Sequence, residues 1–157
     1  MTSYLLETIK NKFPDDVLET HAFRGDETVI LKKEALLKTA AFLKDELGFD
    51  FLMDLAGADY LPREPRFELV CHFYSTKHNY RLRLKCPIAG ADPSVASLTP
   101  LWAGANWFER EAYDMYGLKF EGHPDLRRIL MYDGFEGHPL RKDYPLKKRQ
   151  PRIPHRD

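Results

Sequence analysis

Apolar residues recur along this chain in two rhythms, one of period two and one near 3.6, which together predict a mixed α and β body. Ser3–Phe13 reads as a short helix that stops before Pro14, because the residue preceding proline disfavours the helical region. Val17–Phe23 and Thr28–Leu31 read as strands joined by a turn across Gly25-Asp26. Glu34–Leu47 places Leu36, Leu37, Ala40, Leu43 and Leu47 at helical spacing and ends at Gly48, a residue suited to a helix C-terminus. Phe49, Phe51, Met53 and Leu55 then alternate with mostly polar neighbours, as in a strand with one buried face. A hairpin follows: Phe67, Leu69, Cys71 and Phe73 alternate with Glu68, Val70, His72 and Tyr74, and after a Lys77–Asn79 turn Tyr80, Leu82, Leu84 and Cys86 alternate with Arg81, Arg83 and Lys85. This pattern predicts an α+β fold, a helix-covered and mainly antiparallel sheet of about five strands.

The second half has a different grain. Asp92-Pro93 and Thr99-Pro100 each have the form of a helix cap followed by proline at the first helical position. Ala105–Tyr116, reading ANWFEREAYDMY, is the most distinctive helix and stops at Gly117. Phe108, Ala112 and Met115 make its narrow apolar stripe, and Glu109, Arg110, Glu111 and Asp114 crowd its other faces. Arg110 and Asp114 are spaced for an i, i+4 ion pair. Beyond Gly117 periodicity disappears, yet Phe120, Leu126, Ile129, Leu130, Tyr132, Phe135, Leu140, Tyr144 and Leu146 continue an apolar content that needs burial.

Charge sharpens this division. The 157 residues carry 24 basic and 24 acidic groups, a formal net charge of zero, which argues against a polyanion-coating protein. Split at Gly117, the balance is 14 basic against 18 acidic before and 10 against 6 after, or −4 and +4. Residues 1–117 therefore read as a mildly acidic body, and 118–157 as an extended basic arm whose prolines at 139, 145, 151 and 154 preclude a continuous helix. A long segment with so little regular structure is not expected to fold alone, so the arm is expected to lie on another protein. No apolar run is long enough to span a membrane, and the opening residues have neither a secretory nor a transit layout. The chain is expected to be soluble.

Candidate chemistry is sparse. The two cysteines, Cys71 and Cys86, form no CxxC pair and lie in strand-like segments. Antiparallel pairing sets Cys71 opposite residue 83 or 84, so two reduced, buried thiols are expected. Glu109 and Glu111 lie on different sides of the helix, whereas Glu111 and Asp114 could converge; a solvated or salt-bridged helix face is the plainer expectation. His21, His72, His78, His123, His138 and His155 make no HxxxH or HxH pair, and His123-Pro124 and His138-Pro139 read as turns that start arm segments. No phosphate-binding loop or nucleophile elbow is present. Arm lysines and arginines interleaved with aromatics leave nucleic-acid binding as a rival reading.

The run Glu109-Arg110-Glu111-Ala112-Tyr113-Asp114-Met115-Tyr116, followed by His123, Arg127 and Ile129, resembles the signature of the 30 kDa subunit of respiratory complex I. His138 to Pro145, HPLRKDYP, is similar to that family's C-terminal segment. The resemblance implies a subunit without catalytic residue, metal or cofactor of its own, in the peripheral arm of a proton-translocating NADH:quinone oxidoreductase. It implies partners, chiefly the quinone-site large subunit and iron–sulfur subunits, which hold the FMN, iron–sulfur clusters and quinone; it implies no nucleic acid. It further implies a peripheral position on the cytoplasmic side of a bacterial inner membrane, with membrane association only through the complex. A homologous subunit of a membrane-bound hydrogenase, or of a deazaflavin- or ferredoxin-fed oxidoreductase, would carry much the same motif. On this footing Glu109, Arg110, Glu111, Asp114, His123, Arg127, Arg128, His138, Arg141, Asp143 and Tyr144 are the expected signature and interface residues. Their charges are expected to fix the helix and to anchor the arm, within the chain or on a partner.

Overall fold

A helix, α1 (Tyr4–Lys12), and a hairpin of β1 (Val17–Phe23) and β2 (Asp26–Leu31) open the computed structural model, which describes residues 4–153. Ser3, where the first helix was expected to start, and Pro154, His155 and Arg156 lie outside the described residues. The hairpin turn falls on Arg24 and Gly25, with φ of 53° and 90°, one residue earlier than expected. Two successive positive φ values match the strand twist, and Asp26 already belongs to β2. A single 3₁₀ turn at Lys33–Ala35 leads into α2 (Leu36–Asp45). Gly48 turns the chain out of the helix at φ 70°.

Three strands follow: β3 (Phe51–Asp59), β4 (Phe67–Ser75) and β5 (Tyr80–Ile88). The sheet order is β1-β2-β5-β4-β3, so the segment containing α2 carries the chain from β2 across to the far edge. All pairs are antiparallel except β2 with β5, which run parallel with Val29 beside Leu84. The fold is α+β with a mainly antiparallel five-stranded sheet. Among the described residues no helix is long and apolar enough to cross a membrane.

One sheet face supplies the core. Val29, Leu31, Leu69, Cys71, Phe73, Leu82, Leu84, Cys86 and Ile88 join Leu6 and Ile9 of α1 and Leu36, Ala40 and Leu43 of α2 in one buried cluster. Each fully buried Leu, Ile or Phe side chain stabilises the fold by about 1.5–3 kcal/mol. The opposite face is polar, with Lys85 paired to Glu68 at 2.8 Å and Arg83 Nε donating to His72 Nε2 at 3.0 Å. Cys71 faces Leu84 and Cys86 faces Leu69, so the two buried thiols are free, as the register expectation required. Burial raises the pKa of both.

The expected inward alternation of β3 holds only in part. Leu52 pairs with Phe73 and Asp54 with His72, leaving Met53 as the extra residue of a β-bulge. Before the bulge Leu52 points inward while Phe51 and Met53 are exposed; after it Leu55 is buried. A bulge shifts strand parity by one residue, which a strict period-two reading cannot see. The consequence is that Gly57 and Asp59 share the core side with Leu55.

Neither proline-capped helix forms. Asp92 instead binds Lys33 at 2.6 Å, and residues after Pro93 make β6 (Ser94–Ala96), which pairs parallel with β7 (Lys119–Glu121). Thr99-Pro100 lies in a turn closed by Leu101 N–H to Leu98 O at 2.9 Å. A proline cap is a local preference, and the pairing available to residues 94–96 outweighs it.

The signature helix α3 (Ala105–Tyr116) ends at Gly117, with φ 77°. Its Ala105, Ala112 and Met115 are buried, Phe108 packs against the core, and the helix crosses β3. Gly57 is the crossing point: a Cβ there would lie 2.8 Å from the Tyr116 ring and 3.0 Å from Leu118. Gly57→Ala should therefore cost about 1–3 kcal/mol through overpacking. Gly104→Ala, where an added Cβ meets nothing within 4 Å, should leave stability within about 0.5 kcal/mol of the parent. Urea unfolding of the two variants measures this contrast.

Candidate protein interface

Asp114 occupies the last turn of α3 with its side chain fully buried. Its Oδ1 accepts from Arg128 Nη1 at 2.7 Å. Its Oδ2 accepts from three consecutive backbone amides, Ile129 at 3.1 Å, Leu130 at 2.8 Å and Met131 at 2.9 Å. Burial by itself would raise the pKa of this carboxyl, but the amides and the guanidinium together hold it below the usual aspartate range. Arg128 also donates to Gly137 O at 2.9 Å, tying two arm segments to one helix position.

The arm then recrosses the end of α3. His138 Nδ1 lies 3.0 Å from Asp114 O, and Leu140 N–H donates to Met115 O at 3.1 Å. The His138 ring fills the space over Gly117, where a Cβ would sit 2.7 Å from Nε2. Glycine is thus required twice, for its positive φ and for the ring. Burial lowers the His138 pKa, favouring the neutral ring in which Nδ1–H donates.

A second anchor lies at the ends of β3 and β4. Arg66 Nε and Nη2 donate to the two oxygens of Asp59 at 3.0 and 2.8 Å, a bidentate pair. The same guanidinium reaches Asp143 at 2.8 and 2.9 Å. Lys142 N–H and Leu61 N–H donate to Asp59 at 2.8 and 3.0 Å. The bonds from Arg66 hold the Asp59 carboxyl far below its usual pKa, and Asp143 is also lowered, first by Arg66. Arg141 lies over the Phe67 ring, 5.1 Å from its centroid, with its Nε 3.5 Å from Asp143 and no hydrogen-bond partner on that nitrogen.

The remaining signature residues divide between core, clamp and surface. Glu109 is fully buried, not on a solvated face, and makes no ion pair among the described residues. Its Oε2 accepts from Ser97 Oγ at 2.7 Å and its Oε1 from Leu98 N–H at 2.6 Å. Burial without a cation pushes its pKa up to about 7. Arg110 does not pair with Asp114. Its Nε and Nη2 donate to the carbonyls of Arg127 and Arg128 at 3.1 and 3.0 Å, and it covers Trp107 at 5.2 Å. The Asp114 carboxylate turns to Arg128 and the arm amides while the Arg110 guanidinium turns to the arm carbonyls, so the helical i, i+4 pair does not form. Glu111 and Asp114 do not converge either, since Glu111 is exposed and Asp114 turns into the clamp. His123 Nδ1 accepts from Asp125 N–H at 3.0 Å while Nε2 faces Asn106 O at 3.2 Å, which makes it a turn-holding residue. Exposed Arg127 pairs with Asp125 at 2.9 Å, and Tyr144 stacks on Phe135 at 6.1 Å.

Both clamps, the ANWFEREAYDMY helix and the HPLRKDYP segment fall inside one continuous match. The family described as "Respiratory-chain NADH dehydrogenase, 30 Kd subunit" matches residues 29–150. The chain belongs to this family. Its relatives include an NADH-quinone oxidoreductase subunit of Roseiflexus sp. (strain RS-1), 51% identical over 90% of this chain and 83% of that one. The corresponding NADH-quinone oxidoreductase subunit of Geotalea uraniireducens is 46% identical over 88% of this chain and 84% of its own length. Among solved structures, the trypsin-resistant fragment of Nqo5 superposes with TM-score 0.69 at 34% identity, covering 78% of this chain and 96% of the fragment. A chain of an archaeal membrane-bound sulfane sulfur reductase superposes at TM-score 0.77 over 91% of this chain and 85% of its own, with 20% identity, a likeness of fold alone.

Sequence reasoning missed Asp59, Arg66 and Ser97. Asp59 meets Lys142 across 83 positions, and no local spacing links them. Arg66 had one signal, a basic residue at the foot of an apolar strand that would otherwise lack a partner. Among the described residues no group of three or more His, Cys, Asp or Glu side chains converges as a metal site.

Two outcomes follow from this geometry. Asp114→Ala leaves Arg128 and three amides without their acceptor, and should destabilise the protein by about 3–5 kcal/mol with the arm newly open to protease. Glu109, with a folded pKa of about 7 against an ordinary 4.5, contributes stability that is full below 4.5 and lost as pH rises through 7. Glu109→Gln should flatten that decline, gaining on the parent between about pH 5 and pH 8 in denaturant titrations at each pH.

Proposed function

We propose that this chain is the cofactor-free structural subunit of the peripheral arm of a proton-translocating NADH:quinone oxidoreductase, complex I. The observation that carries the proposal is the family match across residues 29–150, with relatives at 46–51% identity named as NADH-quinone oxidoreductase subunits. The chemistry of the signature supports a structural role. Asp114, Arg128 and, outside the signature, Asp59 bond backbone of the chain itself, while Arg66 is bonded to both Asp59 and Asp143, so these groups spend their hydrogen-bonding capacity on holding the chain together. In this reading residues 1–117 are the α+β body and 118–157 the basic partner-binding arm. The FMN, iron–sulfur clusters and quinone belong to partner subunits.

The partners in this reading are other complex I subunits, chiefly the quinone-site large subunit and iron–sulfur subunits. Exposed apolar side chains along the arm and α3, among them Trp107, Leu130 and Leu140, supply surface for such contacts. The chain then sits at the cytoplasmic side of a bacterial inner membrane through the complex. A hydrogenase or ferredoxin-fed complex has less behind it, because the sulfane sulfur reductase likeness is one of fold.

Purification of the tagged chain from membranes in mild detergent tests the proposal. Iron–sulfur and membrane subunits should be recovered at fixed stoichiometry, with NADH:quinone activity; recovery of the chain alone from the cytosol would sink it. Arg141→Ala should lower recovered complex about fivefold or more, while the isolated chain melts within about 4 °C of the parent.

A further inference from the structure

Beyond Asp143 the arm closes into one more loop. Phe135 stands between Tyr132, edge-on at 5.6 Å, and Tyr144, stacked at 6.1 Å. Gln150 ties this aromatic group to the end of the loop. Its Nε2 donates to Glu136 O at 3.1 Å and to Tyr144 Oη, and its Oε1 accepts from Glu136 N–H at 3.0 Å. Tyr132 Oη donates to Pro151 O at 3.3 Å, Lys148 Nζ to Glu136 O at 3.2 Å, and Lys148 N–H to Pro145 O at 3.1 Å. Residues 144, 148, 150 and 151 are thus fastened at the base. Leu146, Lys147 and Arg149 point outward between them, all exposed and without a hydrogen bond or ion pair among the described residues. Leu146 is 98% exposed, more than any other large apolar side chain described.

Ordering a loop costs conformational entropy, and this one is ordered to present an isolated leucine to water between two unpaired cations. That cost is offset on binding, because a loop already held in its bound shape loses little further freedom. We propose that Pro145–Gln150 is a preformed docking loop. Leu146 plugs an apolar recess on a neighbouring subunit, and Lys147 and Arg149 meet carboxylates on the rim of that recess. The proposal rests on the assembly reading above and adds the contact point and the chemistry of its receptor. Charge favours an acidic receptor, since residues 118–157 carry an excess of four basic groups. A nucleic acid would need free aromatic faces for stacking, and here Tyr132, Phe135 and Tyr144 are committed to one another. A bilayer would need a broad apolar face, where the loop offers one leucine.

The test uses the whole complex. The chain is produced with p-benzoylphenylalanine in place of Leu146, the assembled complex is irradiated, and cross-linked peptides are sequenced. Parallel preparations carry Leu146→Asp or the double change Lys147→Glu with Arg149→Glu. The expected cross-link joins residue 146 to another subunit, at a peptide in which apolar residues neighbour Asp or Glu. Leu146→Asp should lower retention of the chain in the purified complex about tenfold or more, as truncation of a central contact does. The double charge reversal should release the chain at lower salt. Both variants, isolated, should melt within about 2 °C of the parent because the altered side chains are exposed and carry no hydrogen bond or ion pair among the described residues. Parent-like retention of both variants overturns the docking loop while leaving the assembly reading intact. Cross-links confined to lipid, nucleic acid or the chain itself overturn it as well. Failure of the parent chain to co-purify with any subunit removes the assembly reading, and the loop's role with it.

Discussion

The buried carboxylate of Asp114 is the point on which the rest of the arrangement depends. Removing such a group from water is unfavourable unless its acceptor sites are filled. Here one oxygen takes Arg128 and the other three successive amides, so the charge is matched by a cation and by backbone dipoles at once. Those amides belong to a segment with no helix or strand of its own, whose donors would otherwise need water. Each side of the contact therefore satisfies a need of the other. The direction of α3 and the path of the arm become a single choice.

From that point the arm is fixed by geometry more than by hydrophobic burial. Gly117 lets the chain leave the helix and leaves room for the His138 ring; His138 then returns to Asp114 O. Farther out, Arg66 joins Asp59 to Asp143, so the ends of β3 and β4 hold the arm at a second place. Charge-assisted and bidentate bonds suit this task because they set orientation as well as distance. A framework of this kind leaves the arm's outer apolar residues exposed while the backbone beneath them stays ordered, the condition a subunit surface requires.

Much of the fold was legible in the chain. The β4–β5 hairpin, its register at Cys71 and the helices α2 and α3 follow from alternation, helical spacing and glycine stops. The signature residues were legible as a group too, because the family motif marks them, but their individual roles were not. Arg110 and Asp114 have an ideal helical spacing yet each bonds the arm instead. Glu109 looked like one more surface charge and is buried against Ser97 and Leu98. The expected helices at Asp92-Pro93 and Thr99-Pro100 gave way to a two-stranded ladder and a turn. In every case but the Thr99-Pro100 turn, the deciding partner lies more than ten residues away, and local preference is worth less than the bonds that partner offers.

What the sequence determined by itself was the first helix, the five-stranded sheet with α2, and α3, together with the division of charge at Gly117 and the family. These depend on short-range periodicity and on motif residues, which one chain displays in order. What only the tertiary structure decided was the parity of β3 after the Met53 bulge, the pairing of Asp59 with Lys142 and Arg66, and the course of the arm over α3. A bulge changes which face a residue takes without changing composition. A buried carboxylate selects its donors by where the folded backbone delivers them, and that delivery exists once the sheet and α3 have packed.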